Sequence, residues 1–252
     1  MDEQAAARAV APGAPRGQFD EVFDLSSAER TALTGILGPA QHLPRDHVLK
    51  RDGAEPTHLF LLVDGWVASS ITVASGRQQT VKIHLPRDVL GAPSLCVTRT
   101  AECLTAITPI IVRPVSRGDL MGVLARFPRI AAAHFLGAQR ERVTLMEALA
   151  LMGQTDGSVR IAGMLVELFD RLGALGMAEQ GTMPFPLTQS QVGDLVGLSP
   201  VHVSRKFGAM ERAGLIQRGA RSIRLLDLRR LRSMTGLPQH ALVREPEWIN
   251  FA

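Results

Sequence analysis

Cysteine is nearly absent. Cys96 and Cys103 are the only two in 252 residues, too few to staple a fold of this size and too few for a tetrathiolate metal site in one chain. A disulfide scaffold, a structural zinc held by four thiolates and a four-cysteine iron–sulfur cluster are thereby excluded. No apolar run approaches the ~20 residues a membrane helix needs, and the Ala/Pro-rich start lacks the apolar core of a signal peptide. A cytoplasmic protein without membrane contact is expected. Catalytic signatures are also missing: there is no Gly-x-x-x-x-Gly-Lys-Ser/Thr phosphate loop, no Gly-x-Ser-x-Gly elbow and no His-Glu-x-x-His helix. The seven histidines are scattered without paired helical spacing, so His84 and His134 read as core or surface groups rather than ligands. An enzyme is not expected.

What is present is an ordinary globular composition, 46% hydrophobic and 21% charged, on a chain long enough for two cores. The formal charge of +4 is unevenly placed: Val201 to Ser233 holds nine cations against two anions, a local net of +7 that leaves the rest at −3. Such segregation suits a polyanionic partner, the alternative being a solvated basic face.

Along the chain, Met1 to about Gly17 has no hydrophobic period and reads as a flexible arm. Ser26 and Glu29 have capping-box spacing ahead of a short helix that Gly38-Pro39 stops. From His47 to Val115, apolar runs at Leu59–Val63, Val67–Val73, Thr80–Leu85, Cys103–Ile107 and Ile110–Val115 alternate with turn residues, Ser75-Gly76 among them. The spacing predicts an antiparallel roll or barrel. Ser116 and Asp119 then cap one helix, and Pro128 opens a long one running to about Met152.

Along that long helix Phe135, Ala138, Arg142, Leu145, Leu149 and Met152 recur at alternating intervals of three and four, a coiled-coil-like seam. Leu136, Val143, Met146 and Ala150 form a second stripe. Two stripes require two partners, so a homodimer contact on one side and the β domain on the other are expected; a helix buried inside one monomer is the alternative. Gln154 to Ser158 is a polar hinge, followed by an amphipathic helix carrying Ile161, Leu165, Leu168 and Leu172.

The most informative stretch runs from Leu187 to Phe207. Thr188 caps a helix with Val192, Leu195 and Val196 on its apolar side, Gly197 supplies a tight turn, Ser199 caps the next helix and Pro200 stands at its first position. The second helix buries Val203, Phe207 and Met210 and leaves Val201, His202, Ser204, Arg205 and Gly208 outward. Two short helices joined by a glycine turn, the second presenting cations, make a helix-turn-helix. Leu215–Gln217 and Ser222–Leu226 read as a wing carrying Arg218, Arg221 and Arg224. Base-edge contacts are expected from Arg205 with Val201 and Ser204, and from His202 at a base or phosphate. Thr188, Gln189, Ser190, Ser199, Arg218 and Arg221 are expected at the backbone.

From about residue 30 to 233, and most specifically over Leu187 to Ile216, the chain resembles the bacterial cyclic-AMP receptor protein/fumarate-and-nitrate regulator (CRP/FNR) family. Asp64-Gly65 before a strand, Asp88-Val89-Leu90-Gly91 at a roll turn, the long helix, and Asp156 before Ser158 all fall where that family has counterparts. The resemblance implies an α+β fold: a cyclic-nucleotide-binding-like β jelly roll, a dimerisation helix and a C-terminal winged helix-turn-helix acting on palindromic DNA. Implied boundaries are a flexible arm at 1–17, a sensor domain at 18–127, the dimerisation helix and hinge at 128–155, the DNA-binding domain at 156–235 and a tail at 236–252.

Departures from the family pattern shape the remaining expectations. Its recognition helix often reads Ser-Arg-Glu-Thr-x-x-Arg; here Ser199 and Arg205 are kept, but Pro200 and Val201 stand at the first arginine and the glutamate. Val201 cannot accept from a cytosine amino group and suits a thymine methyl instead. In the sensor, the effector-pocket candidates are Gly91, Ala92, Ser94, Arg99, Thr100, Leu145 and Met146. Ala92 replaces a ribose-binding glutamate, Arg99 beside Thr100 is the nearby cation, and Leu145 and Met146 replace polar groups for an adenine. Cyclic AMP is therefore not expected, the effector is left unidentified, and an apolar ligand among Leu90, Leu95, Leu145 and Met146 competes with an ordinary core. The expected partners are double-stranded DNA, a second copy of the chain and, for an activator, RNA polymerase. The competing reading is a cyclic-nucleotide-binding-like module acting through a protein partner.

Overall fold

The structure, a computed structural model, describes residues 22–74, 76, 78–153, 156–238, 240 and 243–249. The arm at 1–17, Ser75 of the expected hairpin turn and Gln154 of the hinge lie outside them. Helix α1 (Ser27–Gly35) begins at the capping box read from the sequence, with Ser26 accepting from the Glu29 N–H and the Glu29 carboxylate receiving the Ser26 N–H at 2.7 Å.

Eight strands follow: β1 (Gln41–Leu43), β2 (Val48–Lys50), β3 (His58–Asp64), β4 (Val67–Thr72), β5 (Gln78–His84), β6 (Val89–Leu90), β7 (Cys103–Ala106) and β8 (Ile110–Ser116). They form two four-stranded antiparallel sheets, ordered β1-β8-β3-β6 and β2-β7-β4-β5. Inward residues Leu62, Val67, Leu90, Leu104, Ala106, Ile110 and Val112 close a dry core between them, the packing of a jelly roll. The five longer strands match the apolar runs of the sequence, whereas β1, β2 and β6 are too short to show a period. At the β4–β5 connection the Gly76 N–H donates to Val73 O at 2.8 Å.

Helix α2 (Arg117–Arg126) is capped by Ser116, and the long α3 (Pro128–Met152) starts with proline in its first turn. One face of α3 is anchored by Ile130 and Ala133, which pack with Val22, Phe23, Leu25 and Val123. The expectation that Leu136, Val143, Met146 and Ala150 cover the roll is corrected: Leu136 packs with the Val22, Phe23 and Ile130 cluster, and Val143, Met146 and Ala150 are exposed in the single chain.

Helix α4 (Gly157–Ala174), capped by Asp156, buries Ile161, Leu165, Leu168 and Leu172. Beyond it come β9 (Thr182–Pro184), α5 (Gln189–Val196), α6 (Pro200–Arg212), β10 (Ile216–Arg218), β11 (Ser222–Leu225) and α7 (Leu228–Thr235). The wing gains a strand not read from the sequence, the sheet order being β10-β11-β9. The described C-terminal residues also pack: Glu245 N–H donates to Val22 O at 2.9 Å and Ile249 joins the α3 cluster.

The roll and the C-terminal helices are docked on one another. A single buried cluster runs from Trp66, Ile83 and Leu85 through Leu165 and Leu168 to Val192 and Phe207. Its polar rim is a clasp: Arg171 donates to Asp88 at 2.7 Å, to Ile83 O at 2.9 Å and to Glu167 at 3.0 Å. Gln79 on β5 also donates to the Asp194 carbonyl on α5. Burial alone would raise the Asp88 carboxyl, but the Arg171 guanidinium, the His84 ring and Lys82 outweigh it and hold that carboxyl well below the ordinary range.

Candidate nucleic-acid interface

Thr188 forms a full capping box, accepting from the Gln191 N–H while its own N–H reaches Gln191 Oε1 at 2.9 Å, so α5 starts at a fixed residue. Gly197 ends α5 at φ 65°, the left-handed conformation that a side chain resists. Ser199 then caps α6, accepting from the His202 N–H at 3.3 Å and lying 2.8 Å from His202 Nδ1. Val203, Phe207 and Met210 fasten α6 to the core, and the opposite face carries Val201, His202, Ser204 and Arg205, all exposed. Gln189 and Ser190 are exposed in the first turn of α5 beside Thr188. The helix-turn-helix thus presents the side chains expected of it on one surface.

The charges sort into two groups. Between Val201 and Arg224 stand Arg205, Lys206, Arg212, Arg218, Arg221 and Arg224 against Glu211, whereas Arg229, Arg230 and Arg232 belong to α7, where Arg232 is paired to Asp170 at 2.6 Å. Within the first group Arg218 is engaged: it holds Glu211 at 2.7 Å and lies 5.3 Å over the Phe207 ring. That hydrogen bond keeps the Glu211 carboxyl below its ordinary value. Lys206 reaches Asp156 at 2.6 Å, tying α6 to the first residue of the hinge end of α4, and its hydrogen bond lowers the Asp156 carboxyl. Arg205, Arg221 and Arg224 remain exposed. That Arg218 and Lys206 have partners could not be read from helical or strand spacing, because each partner stands on another element.

Two family models match this chain. The Crp-like helix-turn-helix domain covers residues 159–234 and the cyclic nucleotide-binding domain residues 40–127. The transcriptional activator protein FnrA of Stutzerimonas stutzeri is 24% identical over 208 residues, spanning 81% of this chain and 84% of its own length. FnrL of Cereibacter sphaeroides is 28% identical over 179 residues, 69% of this chain and 71% of its own. The structure of FixK2 from Bradyrhizobium japonicum superposes with a TM-score of 0.71 at 25% identity, covering 80% of this chain and 98% of that one. The chain is a CRP/FNR-type DNA-binding transcription regulator, not an enzyme.

In this CRP/FNR chain the turn at Gly91 is closely approached by the chain's own Lys50. Gly91 has φ 82° and leads a 3-10 turn, Ala92–Cys96. The Lys50 ammonium lies 2.9 Å from where a Cβ at Gly91 would stand and donates to His58 O at 2.8 Å. Burial pushes the Lys50 pKa down, against the pull of the Glu102 carboxylate. Glu102 is itself buried and accepts from Ser69, leaving Oε1 without a partner. Ser94 is buried and accepts from Ala101 N–H at 3.4 Å, while Thr100 receives the Ala54 N–H at 2.9 Å. Arg99 is exposed and bonds Gly53 O at 3.0 Å. Leu145 and Met146, expected with these residues, are instead exposed on α3, and Leu90 and Leu95 belong to separate core clusters. Lys50, Glu102 and Ser69 escaped the sequence reading because a charged residue in a short strand shows its inward direction only once the register is known.

Seam residues Phe135, Leu145, Leu149 and Met152 are 59%, 47%, 73% and 42% exposed in the single chain. Ala138 and Arg142, also exposed, lie between them on the same face. No helix among the described residues is long and apolar enough to cross a membrane.

Proposed function

We propose that the protein regulates transcription as a homodimer that binds palindromic duplex DNA and does not answer to cyclic AMP. The observation that carries this reading is the outward face of α6: Val201, Ser204 and Arg205 project from a helix whose other side is fixed in the core, and an α-helix fits the major groove. Arg205 is proposed as the base-reading side chain, with Val201 against a thymine methyl, Ser204 beside them and His202 at a base edge or phosphate. Thr188, Gln189, Ser190, Ser199 and Arg221 are proposed backbone contacts. Arg218 would have to leave Glu211 to reach a phosphate, so its role is to brace the wing root.

Pairing is supported by the apolar seam on α3, which a second copy would cover, placing two recognition helices about 34 Å apart, one duplex turn. The units are taken as a sensor at 18–127, a dimerisation helix and hinge at 128–155 and a DNA-binding domain at 156–235. Insensitivity to cyclic AMP is supported by Ala92, which offers a ribose hydroxyl no acceptor, by Arg99 turned to Gly53, and by the Lys50 ammonium under Gly91. An activator of this kind would also meet RNA polymerase. A module acting only through a protein partner would leave the helix-turn-helix without a task.

The test is selection of randomised duplexes by the purified full chain at physiological salt, with and without cyclic AMP. A two-fold symmetric sequence, enriched equally in both conditions, is expected. Indifference to sequence would overturn the reading, and enrichment only with cyclic AMP would overturn its sensor half.

A further inference from the structure

A cavity of about 380 Å³ lies where the roll, α3, α4 and α5 meet. It is separate from the Gly91 turn, and its volume is that of a small-molecule site. Ile83 and Leu85 line it from the roll, Leu145 and Leu151 from α3, Leu168 from α4 and Val196 from α5.

Its charged groups are unequally satisfied. Each carboxylate in the wall already faces a cation or an imidazole: Asp88 and Glu167 share Arg171, Glu141 holds Lys82 at 2.7 Å, Asp170 holds Arg232 at 2.6 Å and Glu147 lies 3.7 Å from His240. Arg160 has no such partner among the described residues. Its Nη1 donates only to backbone, to Val196 O at 2.8 Å and Gly197 O at 3.5 Å, and its Nε is buried with no acceptor. No carboxylate among the described residues pairs with Arg87, which also lines the wall. The wall charge left without a carboxylate is therefore positive, at Arg160 and Arg87, and a buried N–H without an acceptor costs free energy that a ligand oxygen would recover.

We propose that this junction cavity binds a small amphipathic acid, an apolar body with one carboxylate, and that Arg160 receives the carboxylate. Arg160 also holds the last carbonyls of α5, the first helix of the helix-turn-helix. Occupancy therefore reaches the α5–α6 turn directly, and a carboxylate that draws the guanidinium inward loosens that turn's hold on α4. The regulatory part rests on the DNA-binding reading; the binding part does not.

The experiment uses the full chain and the fluorescent probe anilinonaphthalene sulfonate, which pairs apolar rings with a single anion. Saturable uptake is expected, displaced by decanoate or naphthoate but not by decanol, the two acids separating a chain body from a ring body. Ala148→Phe, an exposed position of α3 on the cavity wall, fills the chamber without disturbing a buried contact and should abolish uptake. Arg160→Gln should weaken it about tenfold, the effect of losing one charge-assisted hydrogen bond. Equal uptake by wild type and Ala148→Phe, or displacement by decanol as strong as by decanoate, overturns the assignment. A displacing acid should then shift duplex affinity severalfold in the wild type and not in Ala148→Phe. Probe binding as expected together with no duplex binding under any condition would overturn the DNA-binding reading while leaving the cavity assignment standing.

Discussion

Arg205 and Arg221 are both exposed arginines of the same domain, yet their surroundings assign them different work. Arg205 projects from the second turn of α6, where a bidentate guanidinium can meet a guanine edge, whereas Arg221 sits at the wing tip beside β11. Arg205→Ala should cost about 1–3 kcal/mol on the cognate duplex and flatten the preference for it, read as the ratio of cognate to scrambled affinity. Arg221→Ala should weaken all duplexes alike and reduce the slope of log affinity against log salt by about one. An unchanged specificity ratio in Arg205→Ala would remove that residue from the reading set. At this scale the sequence was legible where a side chain points away from its own helix and illegible where its partner is remote. The outward set Val201, His202, Ser204 and Arg205 follows from helical period alone. The engagement of Arg218 by Glu211, of Lys206 by Asp156 and of Lys50 beneath Gly91 depends on how separate elements are brought together.

Elements with chemical end signals were readable to the residue. Ser26, Ser116, Thr188 and Ser199 each cap the helix predicted from them, and Pro128 and Pro200 stand in first turns. The short strands β1, β2, β6 and β9 contain too few side chains to show alternation, so neighbours rather than propensity decide them, while β10, equally short, is legible only because a turn joins it to the longer β11. Helix α7 was hidden in a basic run whose apolar content is little more than Leu228, Leu231 and Met234. The turn between α5 and α6 yields a sharper test. A Cβ at Gly197 would take a left-handed φ of 65° and stand 2.8 Å from Met152 Cε and 3.2 Å from Arg160 Nη1; at Gly214, φ is 66° and nothing lies within 4 Å. Gly214→Ala should therefore lose only the backbone term of about 1–2 kcal/mol in a urea melt. Gly197→Ala should lose more, and should weaken duplex binding further because the displaced side chains come from α3 and α4. Equal losses would show that Met152 and Arg160 yield freely and that the turn is not braced by them.

For the whole molecule, the clasp between roll and C-terminal helices sets the geometry within one chain, and on the proposed dimer the seam of α3 sets it between copies. Asp88 has its carboxyl lowered in the folded chain, so its contribution is present above the ordinary aspartate value of about 4 and is lost as pH falls through the lowered one. Asp88→Asn should accordingly destabilise the chain by about 2 kcal/mol near neutrality, as expected for hydrogen bonds to a charged group. The gap between variant and wild type should close only in acid, below pH about 4. On the proposed dimer the seam would govern affinity by another route. Leu149 is 73% exposed in the single chain, the most exposed large apolar residue of the seam, so on the proposed dimer Leu149→Glu would set like charges against each other across a two-fold axis. Met121 on α2 is also exposed, at 44%, but off the seam. Sedimentation should find Leu149→Glu monomeric and Met121→Glu dimeric, with thermal stability of the single chain little changed in either. Linking two half-site binders raises apparent affinity by about 10²–10⁴, and the monomer forfeits that gain. Duplex affinity should therefore fall by roughly this factor in Leu149→Glu alone, while its binding to an isolated half-site stays at the wild-type level. If Leu149→Glu remained dimeric, pairing would have to use another surface and the half-site spacing argued from α3 would no longer hold.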